Sequence, residues 1–351
     1  MIEQILKNFN INGKLLSYQA YGEGHINETF LCVFDSGEKY LLQKINANVF
    51  KNVPALMRNV EFVTDFLRTK LINSGKDPLR NGLTLIKTLN GERFYAERND
   101  YYRVCVFIEG AICYQTAENE EIFYETAIGF GNFANLLSDF NANLLSDTIK
   151  DFHDTEKRYT AFEKAVNEDS FKRVKSAESE IAFALKMKKY APIITNLLKS
   201  GKIPLRVTHN DTKLNNVLFD ALTNKALAVI DLDTVMRGSL LYDFGDAIRS
   251  GCNSATEDEE DLSKVTFLKD YYQAFLNGYL TALGDKITPC EKEHLSVSAL
   301  IMTLECGVRF LTDYLNGDTY FKIHKQNHNL FRARTQFKLV EEIERELLCQ
   351  E

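Results

Sequence analysis

The sequence predicts an α+β protein in two lobes, a small antiparallel sheet over residues 1–108 followed by a mostly helical lobe over residues 109–351. Apolar residues in the first lobe mostly alternate, as they do along a strand. From about residue 118 they recur at three- and four-residue steps, as along a helix. One short strand pair interrupts the helical part: "NVLFD" (216–220) and "KALAVID" (225–231), joined by residues 221–224.

In order along the chain, "KLLSYQAYGEGHINETFLCVF" (14–34) reads as strand, glycine-containing turn, strand, and "KYLLQKIN" (39–46) follows as a third strand after Asp35, Ser36 and Gly37. The period then changes. In "VPALMRNVEFVTDFLRTKL" (53–71), Val53, Leu56, Met57, Val60, Val63 and Leu67 mark one face of an amphipathic helix with Pro54 near its start. Strand character returns over residues 82–110, with Asn90-Gly91 expected as a hairpin turn. The first lobe is thus expected to hold five strands and one helix. Helical spacing then runs through residues 120–140, 178–201, 267–283, 293–317 and 334–349.

Composition excludes several function classes. The chain has 351 residues, 45% of them hydrophobic, enough to fill cores in two lobes. A net charge of −7 lacks the basic footprint that nucleic acid or an anionic membrane surface requires. Seven scattered cysteines without C-x-x-C spacing read as reduced thiols. The opening "MIEQILKNFN" lacks the unbroken apolar stretch of a signal peptide, and no run of 18 apolar residues appears. These features predict a cytoplasmic protein. No exposed apolar repeat suggests a partner chain, so a monomer is expected.

The lone hairpin carries the chemistry. His209, Asp211, Lys213 and Asn216 precede its first strand; Asp231 and Asp233 follow its second. In an antiparallel pair, the entry of one strand lies beside the exit of the other, so Asp211, Asn216 and Asp231 should converge. Converging carboxylates repel unless a cation holds them. Oxygen ligands without cysteine or paired histidine point to Mg²⁺ bound together with phosphates.

H-x-D-x-x-x-x-N, an apolar strand, a turn and "ID-x-D" together resemble the aminoglycoside and choline kinases. That resemblance implies a protein-kinase-like two-lobed fold using ATP and Mg²⁺. Asp211 would then accept the proton of the attacking hydroxyl, Lys213 would neutralise the transferring γ-phosphoryl group, and Asn216 and Asp231 would hold Mg²⁺. His209 reads as a hydrogen-bonding strut, and Asp233 as a residue that orients substrate or metal shell. In the first lobe, Gly22 and Gly24 of "YGEGHINETF" would let the backbone approach the phosphates. Lys44 would contact the α- and β-phosphates with Glu61, rather than Asp65, as its ion-pair partner. Main-chain groups near Ile108, in "VFIEGA", would bind adenine.

Two further segments, "DLDTVMRGSLLYDFGDAIR" (231–249) and "LECGVRFLTDYLNGDTYF" (304–321), closely resemble the N-acetylhexosamine 1-kinases, which phosphorylate the anomeric hydroxyl of GlcNAc and GalNAc. The resemblance extends through "LLQKIN" and "HNLFRARTQ". It implies that Thr234, Arg309 and Tyr320 contact the sugar, while Arg237 departs from the family's proline. Alternatives are a kinase of an aminoglycoside, choline or other small alcohol, for which the acidic loop 257–261 would supply a carboxylate-rich cleft, and a non-catalytic ATP-binding regulator. Arg309 opposes a polycationic acceptor, and the intact Asp211, Asn216 and Asp231 oppose the regulator. Asp243 and Asp246 of "YDFGDA" read as structural, with Asp243 bonding main chain at a helix start. His324 and His328 lack a third ligand nearby, so no metal site is expected there.

Overall fold

The computed structural model describes residues 1–22 and 26–349. Strands β1 (Leu15–Ala20), β2 (Glu28–Phe34), β3 (Lys39–Ile45), β4 (Leu85–Ile86), β5 (Tyr95–Glu97) and β6 (Asp100–Val106) form an antiparallel sheet in the order β1-β2-β3-β6-β4, with β5 on β6. A short helix not anticipated from sequence, α1 (Ile2–Leu6), buries Ile2, Ile5 and Leu6 in one cluster with Cys32, Leu42 and Val104. The other face of the sheet meets α2 (Val53–Asn73), capped by Asn52 with Pro54 in its first turn. All six apolar positions expected on one face of that helix are buried. Asn90-Gly91 does form a turn, closed by Gly91 N donating to Thr88 O at 2.9 Å. Thr88 N also donates to Glu92 O at 2.7 Å across the turn, but no strand ladder continues from it. The hairpin forms instead between β5 and β6, where Arg98 takes left-handed backbone (φ 57°).

After α3 (Pro78–Asn81), the chain leaves β6 through residues 107–110 and enters β7 (Ala111–Ile112). The helices that follow are α4 (Glu120–Leu136), α5 (Thr155–Glu168), α6 (Glu178–Met187) and α7 (Ile193–Lys199). Residues 178–201, expected as one helix, divide near Pro192, which has no N–H to continue the ladder. Next come β8 (Arg206–Thr208), β9 (Val217–Asp220), β10 (Ala226–Val229) and β11 (Met236–Gly238), then α8 (Leu240–Gly251), α9 (Lys269–Leu283), α10 (Pro289–Glu293), α11 (Leu295–Leu315) and α12 (His328–Ile343). The expected hairpin is β9–β10, extended by β7 on its outer edge. It is not the lobe's only strand pair. β8 pairs with β11, Met236 opposite Thr208, and so ties the chain entering the motif to the chain leaving it.

Among the described residues, α11 alone is long and apolar enough to cross a membrane, but 72% of its apolar window is buried within the protein. It is the core helix of the lobe. Gly245 explains how closely α8 approaches it: a Cβ there would lie 2.5 Å from both Met302 Cγ and Ser298 O. The glycine of "YDFGDA" therefore serves helix packing.

Candidate active site

The β9–β10 ladder and the β8–β11 pair bring the motif together as its hairpin geometry requires. Val217 pairs with Val229, and Ile230 N donates to Asn216 O at 2.9 Å, which seats Asp231 beside Asn216. His209 is fully buried. Its Nδ1 accepts from Asp211 N at 3.3 Å, which leaves Nε2–H to donate to Ile230 O at 2.9 Å. The histidine thus spans the two ends of the hairpin as a strut, its ring edge-on to Phe130 and Phe133.

Two acidic residues of α8 hold this loop from below. Asp243 accepts from His209 N and Asn210 N, both at 2.8 Å, and burial pushes its carboxyl up to about 6. The helix start that sequence assigned to Asp243 belongs to Ser239, whose hydroxyl accepts from Leu241 N. Asp246 accepts from Thr212 N at 3.0 Å; burial opposes its charge, but Arg249 and Lys213 outweigh that and hold the carboxyl below its usual range.

Asp211 faces Lys213, with Nζ 3.2 Å from its carboxylate. Asn216 donates Nδ2 to Asp211 O at 2.8 Å and to Asp211 Oδ2 at 3.1 Å. The amide is thereby oriented, and its Oδ1 has no partner among the described residues. Asp231, held in left-handed backbone (φ 57°), makes no side-chain hydrogen bond or ion pair among the described residues. Its carboxylate is open to the water of the cleft. Even so, burial by the surrounding protein mass and then the nearby Asp233 and Asp211 push it up to about 6. An unpartnered carboxylate beside a free amide oxygen fits a hard cation that completes its shell with water and phosphate oxygens. No group of three or more His, Cys, Asp or Glu in metal-binding geometry occurs among the described residues, so such a cation would depend on its bound phosphates. His328 accepts from His324 N at 3.2 Å and bonds Asp258 at 3.0 Å.

The first lobe departs from expectation. Lys44 pairs with Asp100 at 3.0 Å, and Glu61 pairs with Arg93 at 2.8 Å; no Lys44–Glu61 pair forms. The reason is strand alternation. Leu42 and Lys44 do share a face, but that face is the one α1 covers. The residue on the cleft face is Gln43, which accepts from Arg103 Nε at 2.9 Å. Arg103 in turn bonds Asp233, and both side chains are buried. Asn27 donates to the other oxygen of Asp233 at 2.6 Å. Sequence reading missed Arg103, Gln43 and Asn27, although a single arginine in the apolar run "YYRVCVF" is a usable signal.

Gly22 takes φ 78° in the turn after β1, a conformation that favours glycine; Gly24 lies outside the described residues. Ile108 sits between β6 and β7. Neighbouring main-chain groups are engaged, Phe107 N with Lys39 O at 3.1 Å and Glu109 O with Arg80 at 2.7 Å. The N–H and C=O of Ile108 have no partner among the described residues.

On the far side of the loop, the Thr234 hydroxyl donates to His209 O at 2.7 Å and so braces the turn. Arg309, on α11, lies over the rings of Phe152 (5.4 Å) and Phe321 (5.5 Å) and makes no hydrogen bond or ion pair among the described residues. Its neighbour Glu305 is bound instead by His153 and Thr155. Tyr320 is 67% exposed, edge-on to Phe321, on a turn whose N–H groups at 319–321 all donate to Asp313. Arg237, at the position where the resemblance expects proline, forms a paired contact with Asp147 at 2.9 Å.

A sequence profile of the phosphotransferase enzyme family (APH) matches residues 17–284. Among solved structures, a microcompartment-associated aminopropanol kinase aligns at a TM-score of 0.62 and 16% identity, over 99% of this chain and 96% of that one. An amicoumacin kinase solved with AMP-PNP and Ca²⁺ aligns at 0.59 and 11% identity, over 99% and 92%. A Plasmodium vivax ethanolamine kinase aligns at 0.55 and 13% identity, over 91% and 82%. At these identities the likeness is one of fold, the two-lobed protein-kinase-like architecture.

Proposed function

This chain belongs to the phosphotransferase enzyme family, and we propose that it transfers the γ-phosphoryl group of ATP to the anomeric hydroxyl of an N-acetylhexosamine, GlcNAc or GalNAc. Asp211 accepts the hydroxyl proton as the sugar oxygen bonds to phosphorus and the bond to ADP breaks; such help is typically worth about 10²–10⁴ in rate. Lys213, half exposed beside the base, supplies a cation for the transferring group. Mg²⁺, when bound by the Asp231 carboxylate and the free Oδ1 of Asn216, would neutralise phosphate charge. Ile108 offers an unpartnered donor and acceptor to adenine, and Gly22 gives the turn after β1 the backbone freedom to approach phosphate.

The observation that carries the acceptor assignment is Arg309, unpaired among the described residues and lying over Phe152 and Phe321, with the exposed Tyr320 edge-on to Phe321. A donor-rich group flanked by aromatic walls suits a neutral polyol with ring faces and carbonyl or hydroxyl acceptors. It opposes a polycationic antibiotic. The acidic loop offers little attraction for one, because its carboxylates are already engaged: Glu257 with Arg249, Asp258 with His328 and Lys325, Glu259 with Lys264, Glu260 with Lys325, and Asp261 with Ser263. We further propose that the enzyme acts as a monomer in the cytoplasm, where its seven free cysteines stay reduced.

The test is a panel of GlcNAc, GalNAc, glucose, galactose, kanamycin and choline with Mg-ATP, the product located by ³¹P NMR. Phosphate on C1 of the N-acetylhexosamines is the expected result. Phosphate on a primary hydroxyl, on choline or on the antibiotic would overturn the assignment.

A further inference from the structure

We propose that Asp233 is a positioning residue that couples the first-lobe sheet to the metal-binding segment, with Arg103 and Asn27 as its two fixed partners. The inference rests on the phosphotransferase reading of Asp231 and deepens it. Asp233 and Asp231 sit two residues apart, yet they are treated oppositely by the fold. Both oxygens of Asp233 are engaged, one by Arg103 and the other by Asn27 at 2.6 Å, and its side chain is 3% exposed. Asp231 has no side-chain partner among the described residues. The buried carboxylate is therefore withheld from a cation, and the open one is offered to it.

The two partners reach different parts of the first lobe. Arg103, on β6, is itself held by Gln43 of β3 and touches Met57 of α2, and Gln43 donates to Thr29 of β2 at 3.1 Å. Asn27 lies just before β2, and its Oδ1 accepts from Asn46 N at 3.0 Å. One carboxylate thus links the sheet, Asn27 at the entry to β2, and the segment bearing Asp231. A buried ion is strongly disfavoured without its counter-ion, so neither half of this link can be released cheaply. The N-lobe cation tied to the metal segment is therefore Arg103 from β6, whereas Lys44 of β3 faces the other way.

The experiment compares wild type with Arg103→Met, Arg103→Lys, Asp233→Asn and the double variant Arg103→Met/Asp233→Leu. It reads thermal stability without ligand, Mg²⁺-dependent AMP-PNP affinity by calorimetry, and amide hydrogen exchange at residues 26–31 and 230–235. Loss of a partner that orients a metal-bearing segment is expected to weaken Mg²⁺-dependent AMP-PNP binding by about 10–100-fold. Exchange should speed up in both segments together. The double variant removes both buried charges and should regain stability without regaining affinity, whereas Arg103→Lys should keep most of the affinity. A double variant that binds Mg-AMP-PNP like wild type would overturn the proposal, as would faster exchange in one segment alone. Wild type that binds no AMP-PNP would instead overturn the phosphotransferase reading, and the paired exchange response would then decide the coupling by itself.

Discussion

Replacing Asp231 by asparagine should stabilise the ligand-free protein while abolishing its response to Mg²⁺. A carboxyl moved from its ordinary value of 3.8 to about 6 has its charged form disfavoured by at most about 3 kcal/mol, at roughly 1.4 kcal/mol per pH unit. The group is open to the cleft, so screening by water reduces this to about 1–2 kcal/mol. The sign follows from linkage. Between pH 3.8 and about 6 the folded state keeps a proton that the unfolded state has released, so stability falls as pH rises, and the penalty is complete above 6. Asparagine removes the charge with little change of shape. Its Tm in differential scanning calorimetry should therefore exceed that of wild type by a few degrees at pH 7.5, at roughly 2–4 °C per kcal/mol, and the difference should vanish below about pH 4. Adding Mg²⁺ and AMP-PNP should raise the wild-type Tm and leave that of the variant unmoved. Wild-type affinity for Mg-AMP-PNP should also weaken as pH drops through about 6. A lower Tm for Asp231→Asn at pH 7.5 would refute the reasoning, because it would mean that the carboxylate has a stabilising partner in the folded protein.

Three more expectations follow from neighbouring geometry. Asp211→Ala should lower kcat by about 10²–10⁴ while calorimetric AMP-PNP affinity stays within a few-fold; near-normal turnover would exclude it as the base. Lys44→Ala removes a half-exposed pair with Asp100, worth about 0–1 kcal/mol, and should leave KM for ATP unchanged; a tenfold rise in KM would put Lys44 back in the nucleotide site. Asp243→Ala strips the acceptor from two buried N–H groups, at about 1–3 kcal/mol each, so urea denaturation should show a loss of about 2–6 kcal/mol. A loss below 1 kcal/mol would mean that the loop holds itself.

The parts of the site that were legible in sequence are those fixed by local geometry. An antiparallel hairpin has to bring its two ends side by side, so the neighbourhood of Asp211, Asn216 and Asp231 follows from the pattern alone. Helix α2 was equally plain, because one apolar face at 3.6-residue spacing leaves a single way to bury it. What alternation could not supply is which face of β3 looks into the cleft. A one-residue difference reverses it, and that difference separates Lys44 from Gln43. The deciding signal lay forty residues upstream. Ile2, Ile5 and Leu6 have the spacing of a short amphipathic helix, and once that helix covers Leu42, Lys44 must face away from the β9–β10 hairpin. The acidic loop was illegible for a different reason: Asp258 and Glu260 find their cation in Lys325, between α11 and α12 in the chain, a pairing that no local pattern encodes. Arg103 joins both lessons. A lone arginine in an apolar strand announces that a buried anion must exist, since an unpaired guanidinium would not stay there. Only the crossing of the two lobes reveals that the anion is Asp233, two residues from the open carboxylate of Asp231.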